Sequence, residues 1–144
     1  LDKVPVGGPV YLTVQGRRVS SGKEYDAKLL VYPDRSVTLR VTRVAGGVET
    51  ALAGPVKLAG VLYAPGMVVD VRVQVTGTGP TAVRARAWVA AGTEPTAWLV
   101  SGSDATGALQ VAGAVGLSSY LSGAATNAPV TVRFSSLTGK PTAG

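Results

Sequence analysis

The 144-residue chain has no cysteine and no histidine. The first absence removes disulfides and thiolate metal sites, and leaves the redox compartment undecided. The two together remove Ser-His-Asp, Cys-His and most zinc chemistry from within the chain. No cofactor and no metal site is expected. No apolar run approaches the roughly 20 residues of a membrane-spanning helix, so membrane insertion is not expected. No stretch of 11 residues or more keeps a helical period. Charged residues make up only 15%, against 46% hydrophobic, a balance that builds a core and argues against disorder.

What the chain has in abundance is turn punctuation. Its 19 glycines and 9 prolines are scattered without a collagen-like period. Between them lie short alternating runs. PVYLTVQG sets Val10, Leu12 and Val14 against Tyr11, Thr13 and Gln15. EYDAKLLVY sets Tyr25, Ala27, Leu29 and Val31 against Glu24, Asp26, Lys28, Leu30 and Tyr32. After the turn YPDRS, SVTLRVTRV sets Val37, Leu39 and Val41 against Thr38, Arg40 and Thr42. AGG at 45–47 turns the chain back into VETALAGPVKL, which makes an antiparallel meander. A short strand over Trp98–Ser101, a helical turn capped by Asp104, and strands in AVGLSSYLS and APVTVRFSSL are expected to follow. Strands at this spacing predict an all-β antiparallel β-sandwich or barrel. The domain is expected over residues 1–137, with 138–144 as a flexible C-terminal tail or linker.

One hairpin allows a register to be derived. VVDVRVQV and AVRARAWV both carry their small apolar residues at odd positions. Directly opposed residues share a face, so the loop holds an odd number of residues. A loop over 77–81 pairs Val75 with Val83, Val73 with Ala85, Val71 with Ala87 and Val69 with Val89. The outer face then sets Gln74 opposite Arg84, Arg72 opposite Arg86 and Asp70 opposite Trp88. The opposed arginines repel unless Asp70 or a bound ligand offsets them.

Four phrases in order resemble a known group: DKVPVGGPVYLTVQGRRV, EYDAKLLVYPDRSVTLRVTRVAGGVETAL, GVLYAPGMVVDVRVQVTGTGPTAVRARAWVAAGTEPTAW and GAVGLSSYLSGAATNAPVTVRFSSL. They are similar to the concanavalin A-like, laminin-G-like jelly-roll modules of bacterial surface or secreted proteins and of phage tail proteins. The resemblance implies a jelly roll in which the strands usually ahead of DKVPVGG are missing, with one sheet edge uncovered as a result. It also implies an extracellular, cell-surface or virion-associated setting. LDKVPVGG is not a signal peptide, so a secreted parent is expected to carry its signal upstream. Relatives often end the closing strand with paired Asp after Phe. Here Ser135 and Ser136 follow Phe134, and no calcium site is carried over.

Trp88 with Arg72, Arg84, Arg86 and Arg40 is the strongest ligand-binding candidate. Guanidinium groups supply forked donors, and an aromatic face stacks on a sugar ring. The plainer reading is that the following EPTAW loop covers Trp88 through Pro95 or Trp98. Glu24 and Asp26 lie roughly 7 Å apart along one strand face, as a glycosidase pair would, but Lys28 stands where a third carboxylate is expected. A solvated strand face accounts for them better. The net charge of +6 is spread rather than clustered, and no aromatic and basic pattern of a known nucleic-acid module is present. Tyr120 and Asn127 fit either a sugar site or a surface turn, and turn-shaping is the plainer reading. The expected function is non-catalytic: a lectin-like carbohydrate-binding or adhesion module whose partner is a glycan or cell-surface polymer. The alternative is a structural building block of a fibre or virion assembly, joined to other copies or segments through an open strand edge.

Overall fold

A computed structural model describes residues 1–142. It contains β1 (Val10–Ser20), β2 (Lys23–Val31), β3 (Val37–Ala45), β4 (Val48–Lys57), β5 (Val69–Thr76), β6 (Thr81–Val89), β7 (Val100–Asp104) and β8 (Ala114–Leu121). They form an all-β antiparallel sandwich, with sheet orders β4-β3-β2-β1-β8 and β5-β6-β7. The chain winds β1 to β4 as a meander, crosses to the second sheet for β5 to β7, and returns to place β8 beside β1.

Alternation in the sequence decides which side chains meet between the sheets. Tyr25, Ala27, Leu29 and Val31 of β2 face Val83, Ala85 and Ala87 of β6 across a core shared with Val37, Leu39 and Val41 of β3. Gly46 and Gly47, at φ 57° and 75°, make the two-residue turn between β3 and β4, where only glycine-like backbones match the twist of the strands. The β5–β6 register is the derived one at every pair, from Val69 with Val89 to Thr76 with Ala82. Beneath β5, β1 changes register near Gly16. A Cβ at Gly16 would lie 2.6 Å from Val75 Cγ2, so this glycine lets the second sheet settle.

One polar cluster ties the sheets together through the core. The Tyr25 hydroxyl donates to Asp104 Oδ2 at 2.6 Å, and Arg43 donates to Asp104 Oδ1 at 2.8 Å. Burial opposes the charge on Asp104. Hydrogen bonds from Tyr25, Thr106 and Arg43 outweigh it and hold the carboxyl below its ordinary range. The same burial, reinforced by Asp104, pushes the Tyr25 hydroxyl up to about 12.

Three expectations need correction. APVTVRFSSL forms no strand: its alternation is present, but its backbone meets the rest of the chain through Thr131 and Asp2 rather than along a sheet edge. The strand expected over Trp98–Ser101 starts at Val100, because Trp98 is drawn onto arginines of β6. The helical turn is a single 3-10 turn, Gly107–Leu109, with Thr106 at its cap; Asp104 instead accepts from the Thr106 N–H at 2.9 Å. Thr142, within the expected tail, donates to the Val75 carbonyl at 3.3 Å. Residues 143–144 of that tail lie outside the described residues.

The unequal sheets leave one flank open. A cleft of about 1490 Å³ runs between β5 above and β1 and β8 below, bordered by the segment from Val132 to Thr142. Val69, Val71 and Val73 form its ceiling, and Leu12, Val14 and Leu117 its floor.

Candidate functional site

The structure brings together four of the five expected ligand residues. Arg72, Arg84, Arg86 and Trp88 share the outer face of the three-stranded sheet, in the derived register. The chain itself occupies that face. The loop after β6 folds back so that the Trp98 ring lies under two guanidinium groups, 4.8 Å from Arg84 and 4.6 Å from Arg86. Glu94 pairs with Arg72 at 3.0 Å and with Arg86 at 2.5 Å, and Arg86 also donates to the Thr96 carbonyl at 2.8 Å. The repulsion between Arg72 and Arg86 is therefore offset by Glu94, and Asp70 takes no part. Trp88 is half-buried, beside Pro95 and Trp98.

Arg40 lies elsewhere, on the outer face of the five-stranded sheet. That face is assembled from alternate residues of its strands. One row runs Tyr120, Tyr11, Leu30, Thr38. The next runs Ser118, Thr13, Lys28, Arg40, and the third Gly116, Gln15, Asp26, Thr42. Successive residues in a row are neighbours about 5 Å apart, and successive rows are about 7 Å apart. Tyr11 and Tyr120 pair with ring centroids 5.7 Å apart, and Tyr120 is 62% exposed. Gly116 leaves room for Gln15: a Cβ there would meet Gln15 Oε1 at 2.2 Å.

The centre of this face differs from the solvated strand expected of it. Asp26 is 1% exposed and Thr42 is fully buried. They are opposed across β2 and β3, and Lys28 and Arg40 are opposed one row away. Glu49 of β4 binds both cations, contacting Lys28 and accepting from Arg40 at 2.8 Å. To reach Glu49, which pairs beyond Thr42 in the ladder, the Lys28 and Arg40 side chains lean over Asp26 and Thr42 and bury them. Three buried atoms here lack a hydrogen-bond partner: Asp26 Oδ1, Thr42 Oγ1 and Arg40 Nε. Native structures leave few such groups unpaired, because each costs about 1–3 kcal/mol.

The electrostatics follow from that burial. Desolvation first, and the neighbouring Glu24 charge second, push the Asp26 carboxyl up to about 7, against the pull of Lys28. Burial likewise lowers the Lys28 ammonium. Glu24 accepts from Gln15 Nε2 at 2.8 Å and pairs with Arg18 at 3.4 Å.

The sequence reading passed over most of this face. Loop parity also links β2 and β3, where Val31 pairs with Val37 and the register sets Asp26 opposite Thr42 and Lys28 opposite Arg40. The Tyr11–Tyr120 pair had no such local signal, because β8 reaches β1 only after two crossings between sheets. Asn127 ties its loop to the N-terminal segment, accepting from the Val6 N–H and donating to the Val4 carbonyl, both at 2.9 Å, rather than bonding within its own turn. Tyr120 instead sits within β8. In comparisons with protein families, curated proteins and solved structures, nothing matches this chain.

Proposed function

We propose that the chain is a non-catalytic carbohydrate-binding module of an extracellular, cell-surface or phage-tail protein, in the manner of concanavalin A-like and laminin-G-like sandwiches. The observation that carries this reading is the pair of half-buried Tyr11 and exposed Tyr120 beside a polar stripe with unpartnered buried groups. Tyrosine offers an apolar ring with a wet hydroxyl end, which suits the mixed surface of a sugar. The rows beyond it carry hydroxyl, cationic, amide and carboxylate groups spaced about 5 to 7 Å apart, the scale of a saccharide. The arginine–tryptophan face supports the reading less, since Glu94 and Trp98 already fill it. Glycoside cleavage needs two available carboxylates flanking the bond. Glu24 is held by Arg18 and Gln15 and Asp26 is buried, which favours binding without hydrolysis.

Affinity electrophoresis through gels holding soluble polysaccharides tests this. The protein is expected to be retarded by at least one neutral polymer and to release no reducing sugar from it. Tyr120→Ala is expected to abolish retardation with unchanged thermal stability. Retardation that survives in Tyr120→Ala and Tyr11→Ala would refute the site.

The cleft beside β5 favours a second, structural reading. β5 is an edge strand with half-buried valines over an apolar floor. β8 extends the lower sheet beneath this vacancy. A folded second copy joined edge to edge would bring its own lower sheet against β8, so the vacancy suits one extended segment of the parent assembly added as a strand. Concentration-dependent light scattering without polysaccharide retention would favour this reading over the first.

A further inference from the structure

We infer that Asp26, Thr42 and Arg40 form a subsite for a vicinal diol of an uncharged sugar, closed in the free protein by Glu49. The inference rests on the carbohydrate-binding reading and names the chemistry that its polar stripe recognises. The three unpartnered atoms have complementary capacities. Asp26 Oδ1 accepts, Arg40 Nε donates, and Thr42 Oγ1 does either. A sugar hydroxyl both donates and accepts. Two adjacent hydroxyls therefore satisfy all three atoms, one donating to Asp26 while the other accepts from Arg40.

The charges around the subsite select against ions. Asp26 and Glu49 stand against a phosphate, a sulfate or a uronate, and Lys28 and Arg40 stand against a metal ion or an amine. A neutral polyhydroxyl compound meets neither repulsion. Arg40 lies in the row of Thr13 and Ser118, and Asp26 and Thr42 lie one row below it and two rows below the tyrosine pair. One chain of a few sugar units thus spans both.

Glu49 is the movable part. It belongs to β4, an edge strand whose pairing with β3 shifts register twice, and its side chain is 32% exposed. Its carboxylate holds Lys28 and Arg40 over the buried pair. Swinging it into solvent breaks only those two contacts, and uncovers Asp26, Thr42 and Arg40 Nε. A ligand must displace it, so Glu49 lowers affinity in the free protein.

The test compares retention of the wild type and three variants by soluble xylan, β-glucan and galactomannan, each before and after periodate oxidation, which cleaves vicinal diols. Removing the occluding carboxylate in Glu49→Ala is expected to raise affinity several-fold, an effect that loss of a merely structural ion pair does not produce. Thr42→Val, nearly isosteric, is expected to lower affinity about tenfold, as for one lost hydrogen bond. Asp26→Leu, which removes the acceptor at similar size, serves the same purpose if Thr42→Val fails to fold. Oxidised polymers are expected not to be retained by any form. If Glu49→Ala and Thr42→Val bind as the wild type does while Tyr120→Ala loses binding, the diol subsite is wrong and the carbohydrate reading stands. If no polymer retains the wild type or Glu49→Ala, both fall together.

Discussion

Replacing Asp26 by asparagine is expected to stabilise the protein above neutral pH and to have little effect in mild acid. The carboxyl titrates at about 7 in the folded chain, against 3.8 for its ordinary value. Between those values the folded state keeps a proton that the unfolded state has lost. Stability therefore falls as pH rises through this window and stays low above it. The difference between the two values corresponds to about 4 kcal/mol. That is an upper bound, because Glu24 and Lys28 on the same strand, Arg40 on β3 and Glu49 on β4 rearrange as the charge appears. A benefit of roughly 2 kcal/mol at pH 8.5 survives a discount by half, or several degrees in Tm for a domain of this size. Urea denaturation of both proteins at intervals from about pH 4.5 to 8.5 measures it. Groups titrating elsewhere, such as the amino terminus lowered by its burial, cancel in the difference. A difference that stays constant across the range would show that Asp26 does not titrate there, and that its surroundings are wetter than the packing implies.

Two further substitutions probe the fold around the site. Tyr25→Phe removes one of the donors to Asp104 and should cost about 1–2 kcal/mol; it should also remove the loss of stability between pH 10 and 12 that a raised tyrosine imposes, which denaturation in alkaline buffer would reveal. Trp88→Ala, at a half-buried ring away from the tyrosine face, should cost roughly 2 kcal/mol by the usual penalty for large-to-small changes and leave polysaccharide retention untouched; lost retention in a folded Trp88→Ala protein would return the site to the three-stranded sheet.

The parts of the fold that could be read in advance are those decided within one hairpin. Alternation places Val71, Val73, Ala85 and Ala87 on one face, parity of the loop fixes their partners, and the structure has each pair. APVTVRFSSL alternates as clearly and forms no strand, since alternation supplies a face but not a neighbour to bond with. The same limit applies to function. Arg72, Arg84, Arg86 and Trp88 share a face, and the following EPTAW loop is a cover legible in the sequence; its particular contacts, Glu94 with Arg72 and Arg86 and Trp98 with Arg84 and Arg86, appear only in the folded chain. The solvated reading of Asp26 fails because its burial comes from Lys28 and Arg40 leaning toward Glu49, two strands away on β4, where no local signal reaches.

The two faces thus differ in a way that composition alone does not show. Both are rich in cations and carry aromatic residues. On the three-stranded sheet the chain acts as its own partner: the Glu94 carboxylate neutralises the opposed Arg72 and Arg86, and the Trp98 indole stacks beneath Arg84 and Arg86. An external ligand there would have to displace contacts of the kind it offers, with little net gain. On the five-stranded sheet Glu49 satisfies the charges of Lys28 and Arg40 but leaves an acceptor, a donor and a hydroxyl beneath it unpaired. Exchange of Glu49 for sugar hydroxyls satisfies those groups and releases the carboxylate to water, where it is fully solvated. Arg86 Nε and Glu94 Oε1 on the three-stranded sheet also lack a hydrogen-bond partner, but both side chains belong to ion pairs, whereas Asp26 Oδ1 and Thr42 Oγ1 belong to none, and it is there that a ligand has most to supply.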